Sequence, residues 1–157
     1  MRLPKLFLVL TALTSVAGAD PRLWDPGGVP VSQGGRVEWN RSVAVNTAAN
    51  AVTTWSDMHT GSREVHAQLI SPNGDLLWGG GVQLTDDPYE QSCPVITATE
   101  GGWIIAWIDY RDIPPRDPDY RDYGGEVWIQ KLNNQGQPLW TAGGVRLDST
   151  AYVLYNS

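Results

Sequence analysis

The chain has 157 residues, with 17 acidic against 11 basic side chains and a formal net charge of −6. That balance repels nucleic acid and anionic lipid, so no nucleic-acid partner is expected. A single cysteine, Cys93, excludes an internal disulfide; it is expected to be buried as a small hydrophobe, or else to pair outside this chain.

Arg2 and Lys5 precede the apolar run Leu6 to Val16, and Ala17-Gly18-Ala19 follows it. This order predicts a signal peptide over 1–19, cleaved before Asp20. The apolar run is about half the length of a membrane-spanning helix, so no transmembrane segment is expected after signal removal. Secretion or display at the cell surface follows. Loss of the signal removes the lone Phe7 and leaves all eight Trp, so the core must be built chiefly from Trp, Val, Ile and Leu.

Three fragments then say nearly the same thing: "RLWDPGGVPVS" at 22–32, "GDLLWGGGVQLTD" at 74–86 and "GQPLWTAGGVRLDS" at 136–149. They belong to a longer repeat. Trp55 and Asp57 recur as Trp107 and Asp109, 52 residues on. Glu64, Val65, Gln68, Gly74, Leu77 and Trp78 recur 62 residues on as Glu126, Val127, Gln130, Gly136, Leu139 and Trp140. The ten additional residues fall between Asp109 and Glu126, an insertion in one loop.

In chain order, residues 20–39 are expected to hold an initial strand, Trp24 to Val31, that completes a terminal blade. The first repeat, 40–86, is expected to contain strands at 43–46, 51–57, 64–70 and 82–84. The second, 87–148, is expected to contain strands at 94–97, 103–109, 126–132 and 145–147, with the insertion at 110–125. Residues 149–157 read as a truncated tail or the start of a further repeat. No segment carries a helical stripe of sufficient length. "SPNGD" and "NNQGQ" mark turns between third and fourth strands, Asn73-Gly74 because both residues tolerate positive φ. Gly79-Gly80-Gly81 and Gly143-Gly144 let the backbone turn beside an indole.

The fold class expected is all-β: a partial β-propeller made of tandem four-stranded antiparallel blades. Another stacked β repeat remains open, as does a sandwich, but a sandwich does not require the same turn, Trp and glycine cluster at one offset. Closure takes at least about four blades. The chain therefore reads as an N-terminal fragment, or as a piece that needs missing blades or another chain to close the fold.

Trp107-Ile108-Asp109-Tyr110-Arg111, then Glu126-Val127 with Gln130 and Leu132, then Gly136 and Trp140, resemble blade repeats of large secreted or surface-associated bacterial β-propeller proteins. The resemblance spans roughly 24–148. It implies a bacterial, extracellular protein; such proteins often carry a C-terminal attachment domain, and many have no assigned activity. The first unit departs from it, with Met58-His59 where the second has Tyr110-Arg111.

The insertion "DYRDIPPRDPDYRDYGGE" holds the candidate site. Tyr110, Arg111, Asp112, Tyr120 and Tyr123 are binding candidates, since tyrosines stack on sugars and charged loop residues bind proteins. Asp117, Asp119 and Asp122 are candidate calcium ligands, supplying hard oxygens. Against calcium, Arg111, Arg116 and Arg121 stand ready to pair with the acids, and the spacing is not that of an EF-hand. No other cofactor is expected. Asp109 with Glu126 raises glycoside hydrolysis, yet the pair recurs as Asp57 with Glu64, as strand-end residues of every unit would. "SPNGDLLW" misses the spacing of a sialidase Asp-box. Trp55, Trp107, Trp78 and Trp140 are expected in the core, and His59 and His66 lack the companions of a metal site. The function expected is a noncatalytic extracellular scaffold or protein/glycan interaction module. The alternatives are a fragment of a secreted carbohydrate-active hydrolase and a purely structural repeat.

Overall fold

The computed structural model describes residues 27–32, 37–58, 61–111 and 125–147. They form two antiparallel four-stranded sheets and no helix. The first sheet takes β1 (Val37–Val45), β2 (Ala51–Asp57), β3 (Glu64–Ile70) and β4 (Val82–Gln83) in sequence order. The second takes β5 (Gln91–Thr99), β6 (Gly102–Asp109), β7 (Glu126–Asn133) and β8 (Val145–Arg146) in the same order. Neither sheet closes into a barrel. Among the described residues no helix is long and apolar enough to cross a membrane. Of the expected strand at Trp24 to Val31, residues 27–31 carry none, and the rest lies outside the described residues.

Matching residues occupy matching places. Trp55 pairs with His66 across the β2–β3 ladder, and Trp107 with Trp128 across β6–β7. Asp57 faces Glu64 at the ladder end, as Asp109 faces Glu126. Both hairpin turns are closed alike: Gly74 N–H donates to the Ser71 carbonyl at 3.0 Å, and Gly136 N–H to the Asn133 carbonyl at 3.0 Å. Positive φ falls on Gly74 (92°) and Gly136 (78°), not on Asn73. The expected turns are present, with the positive φ carried by the glycine alone. Ser71 and Asn133 side chains each accept two backbone N–H bonds inside the loop, which favours a five-residue turn.

A buried glutamine holds each sheet's outer strand segment. Gln68 Oε1 accepts from the Leu69 and Trp78 N–H groups at 3.0 Å each, while its Nε2 donates to the Gly79 carbonyl at 2.9 Å. Gln130 repeats all three bonds, with Lys131 N–H at 2.9 Å, Trp140 N–H at 3.0 Å and the Thr141 carbonyl at 2.9 Å. The loop leading into each short fourth strand interrupts its ladder with the third, so one side-chain amide satisfies the backbone groups left there. β4 and β8 then start one position out of step, because one extra residue precedes Gly144. Gly144 needs to be glycine: φ is 92°, and a Cβ there would lie 2.6 Å from Trp107 Cη2.

The first strands match at an offset of 53, not the 51 implied by aligning 43–46 with 94–97. Each contains a bulge with positive φ, Asn40 at 54° and Cys93 at 54°. The discrepancy is two residues, which leaves side-chain alternation unchanged and so is invisible to it. The bulge turns Cys93 out to solvent, against the expectation of burial. Its Sγ accepts a bond from Asn40 Nδ2 at 3.1 Å.

The sheets stack on unlike faces. Val52, Val65, Ala67 and Leu69 of the first pack against Trp103, Ile105, Trp107 and Leu132 of the second in one core. The second sheet's counterparts of Val52, Val65 and Ala67 are Ile104, Val127 and Ile129, which alternation places on its opposite face. β5 is the strand that meets the first sheet, along β1, β2 and β3. Ile96 N–H donates to Ser42 Oγ at 3.3 Å across this junction.

Candidate functional site

The insertion leaves the end of β6 and returns at β7, so the paired ends of those strands form its base. Asp109 is fully buried there. Its Oδ2 accepts from Trp107 Nε1 at 2.9 Å and from Arg111 Nη2 at 2.5 Å; its Oδ1 accepts from the Arg111 N–H at 3.0 Å and Nε at 2.9 Å. A buried carboxylate needs such a full set of donors. The Arg111 guanidinium also donates to the Gly143 carbonyl at 3.1 Å and lies 3.9 Å above the Trp128 ring, a cation–π contact. Glu126 makes an ion pair with Arg146. Arg111 thus ties the insertion's root to the loop before β8.

The first sheet builds the same corner from other parts. Glu64 is 2% exposed, with Ser62 Oγ donating to its Oε1 at 2.6 Å and Thr85 Oγ1 to its Oε2 at 2.7 Å. Thr85 Oγ1 in turn accepts from the Val65 N–H at 2.9 Å. Burial pushes the Glu64 carboxyl above the usual carboxylate range; the two hydroxyl bonds pull it down, and the charges of Asp86 and Asp87 add to the upward push. His66 stacks on Trp55 with ring centroids 5.8 Å apart.

A general acid with a raised pKa is the usual mark of a catalytic carboxyl. Here Glu64 is buried and both of its oxygens are held by hydroxyls. Between the sheets lies an open cleft of about 400 Å³, lined by Val82, Leu84 and Thr85 on one side and Leu132, Pro138 and Gly143 on the other.

Of the residues expected to bind, Tyr110 is half-buried, with its N–H donating to the Glu90 carbonyl at 3.1 Å. Arg111 is engaged as above. Asp112, Tyr120 and Tyr123, and the calcium candidates Asp117, Asp119 and Asp122, lie outside the described residues, as does His59. Among the described residues no group of three or more His, Cys, Asp or Glu is placed to hold a metal ion. Three features escaped the reading of the sequence: the glutamine fittings, the Arg111–Trp128 contact and the Glu126–Arg146 pair. Only the first left a signal, Gln68 and Gln130 recurring at the common offset. Compared with family models, with curated proteins and with solved structures, the chain matches none.

Proposed function

We propose that the chain is a noncatalytic extracellular module, a partial β-propeller of tandem blades that presents the 110–125 loop to a protein or glycan ligand. One observation carries this reading. The two sheets share their buried glutamine fittings and hairpin turns position by position, and they differ most at the charged corner, where ten additional residues leave β6. Residues that recur in both units are accounted for by the fold; an outgrowth present in one is free to specialise. The acid pairs fall in the first class. Asp109 has both oxygens occupied by Arg111 and Trp107, which favours a structural over a hydrolytic role.

The test is binding by the intact secreted protein to a glycan array and to extracellular protein extracts. Replacing Tyr110, Tyr120 and Tyr123 by Ala should abolish binding while the protein stays folded, with a modest fall in melting temperature from the loss of the half-buried Tyr110 ring. Glycoside turnover lost on Asp109→Asn with the fold retained would instead make it a hydrolase. Titration with calcium should give no saturable heat, because Arg111, Arg116 and Arg121 compete for the acids. A heat removed by replacing Asp117 and Asp119 by Asn would establish the metal site. Cleavage before Asp20, read by N-terminal sequencing of the secreted form, tests the compartment.

A further inference from the structure

The second sheet turns outward the same face that the first sheet buries. Val52, Val65 and Ala67 have no exposed surface. Their counterparts Ile104, Val127 and Ile129 are only half-buried, and Val145 and Leu147 beside them are 41% and 64% exposed. Among the described residues the strand pairings place no Asp or Glu on this face, and Lys131 is the one charged side chain on it. In a chain of net charge −6, an apolar surface free of carboxylates marks an interface.

The first sheet shows what fits there. Trp78 Nε1 donates to the Asn134 carbonyl of the second sheet's turn at 3.1 Å. Beneath the indole sits Gly136, where a Cβ would lie 3.0 Å from Trp78 Cδ2 and Cε2 and 2.8 Å from Val82 Cγ2. Trp140, the counterpart of Trp78, is 36% exposed. We propose that this outward face is the docking surface for a third sheet of the same repeat, delivered in tandem after β8. The proposal rests on the tandem-blade reading above. It specifies the partner's chemistry: apolar residues at the places of Trp103, Ile105 and Leu132, and a hairpin turn offering a glycine beneath Trp140 and a carbonyl to its Nε1. Tandem delivery has its precedent in the chain, where the short link 84–90 carries the second sheet onto the first.

The experiment compares the full chain with one extended after Leu147 by a second copy of residues 85–147. Hydrogen exchange of the Trp140 indole proton is followed by NMR, with Trp78 as the internal reference. In the full chain Trp140 should exchange fast and Trp78 slowly; in the extended chain Trp140 should slow about a hundredfold, toward Trp78. A Trp140 that stays fast beside the appended sheet, folded or not, would overturn the proposal. So would sedimentation of the unextended chain as a dimer with Trp140 already protected, since a second copy would then be the occupant. Neither outcome touches ligand binding by the 110–125 loop, which is tested separately.

Discussion

The two sheets share one plan and differ in what surrounds it. In the first, Trp78 lies under the neighbouring sheet; in the second, Trp140 faces solvent. At the opposite corner the first sheet closes around Glu64 with two hydroxyls, and the second closes around Asp109 with an arginine and an indole. Trp55 Nε1 is buried and meets no acceptor among the described residues, whereas Trp107 Nε1 reaches Asp109. The difference teaches that the backbone plan is set by turns, glycines and glutamines, while the charged corner is free to be rebuilt in each copy.

The glutamines offer the largest break in that comparison. Gln68→Ala strands two N–H groups and a carbonyl beside half-buried Trp78 and should cost about 3 kcal/mol in urea unfolding. Gln130→Ala strands the same three groups beside exposed Trp140 and Thr141, where water repairs part of the loss, and should cost about 2 kcal/mol. Equal costs would mean that the neighbouring sheet gives no cover.

Glycines sharpen the same contrast. Gly144→Ala drives a Cβ into Trp107 at positive φ and should cost about 3 kcal/mol. Gly81→Ala, where the nearest atom is the Ala67 carbonyl oxygen at 3.2 Å, should cost about half of that. Thermal melts of the two variants decide the order.

Asp109→Asn removes the charge that holds Arg111. A fully buried pair would lose more, but Arg111 is partly exposed, so about 2 kcal/mol is expected. High salt should shrink the difference between the variant and the parent only slightly, because the carboxylate itself is shielded from solvent.

The smallest effect is a slope. Glu64 has a folded-state pKa above its unfolded value, so its contribution to stability is fully present below the unfolded value and is lost as pH rises through the raised one. Stability should therefore fall as pH climbs above the ordinary carboxylate range. Glu64→Gln keeps the shape and accepts from Thr85, while Ser62 turns its hydroxyl to the Asp87 carbonyl, 3.2 Å away. Urea titrations from pH 4 to 8 should show this part of the slope gone; an unchanged slope would assign it to other groups.

Much of this plan was legible in the residues. The strands at 51–57 and 64–70 match their expected bounds because turn residues punctuate them on both sides. β1 and β5 run further toward their N-terminal ends than expected, since Asn40 and Cys93 interrupt the alternation that marks a strand. Burial of Cys93 was a residue-type expectation, and a bulge at positive φ overrode it. Trp140 was expected in the core by analogy with Trp78, but an indole's burial depends on what stands opposite, which its own repeat does not encode. The base of the candidate site was half legible: Asp109 and Glu126 were visible as a recurring pair, yet the cations that pair with them, Arg111 and Arg146, do not recur in the first unit.

That residues one repeat apart perform the same structural work is tested most directly by scalar couplings across hydrogen bonds. In labelled protein, couplings should appear from the Trp78 amide nitrogen to the Gln68 side-chain carbonyl carbon, and from the Trp140 amide nitrogen to that of Gln130. Both are expected, with similar size. One coupling without the other, or neither, would contradict the account.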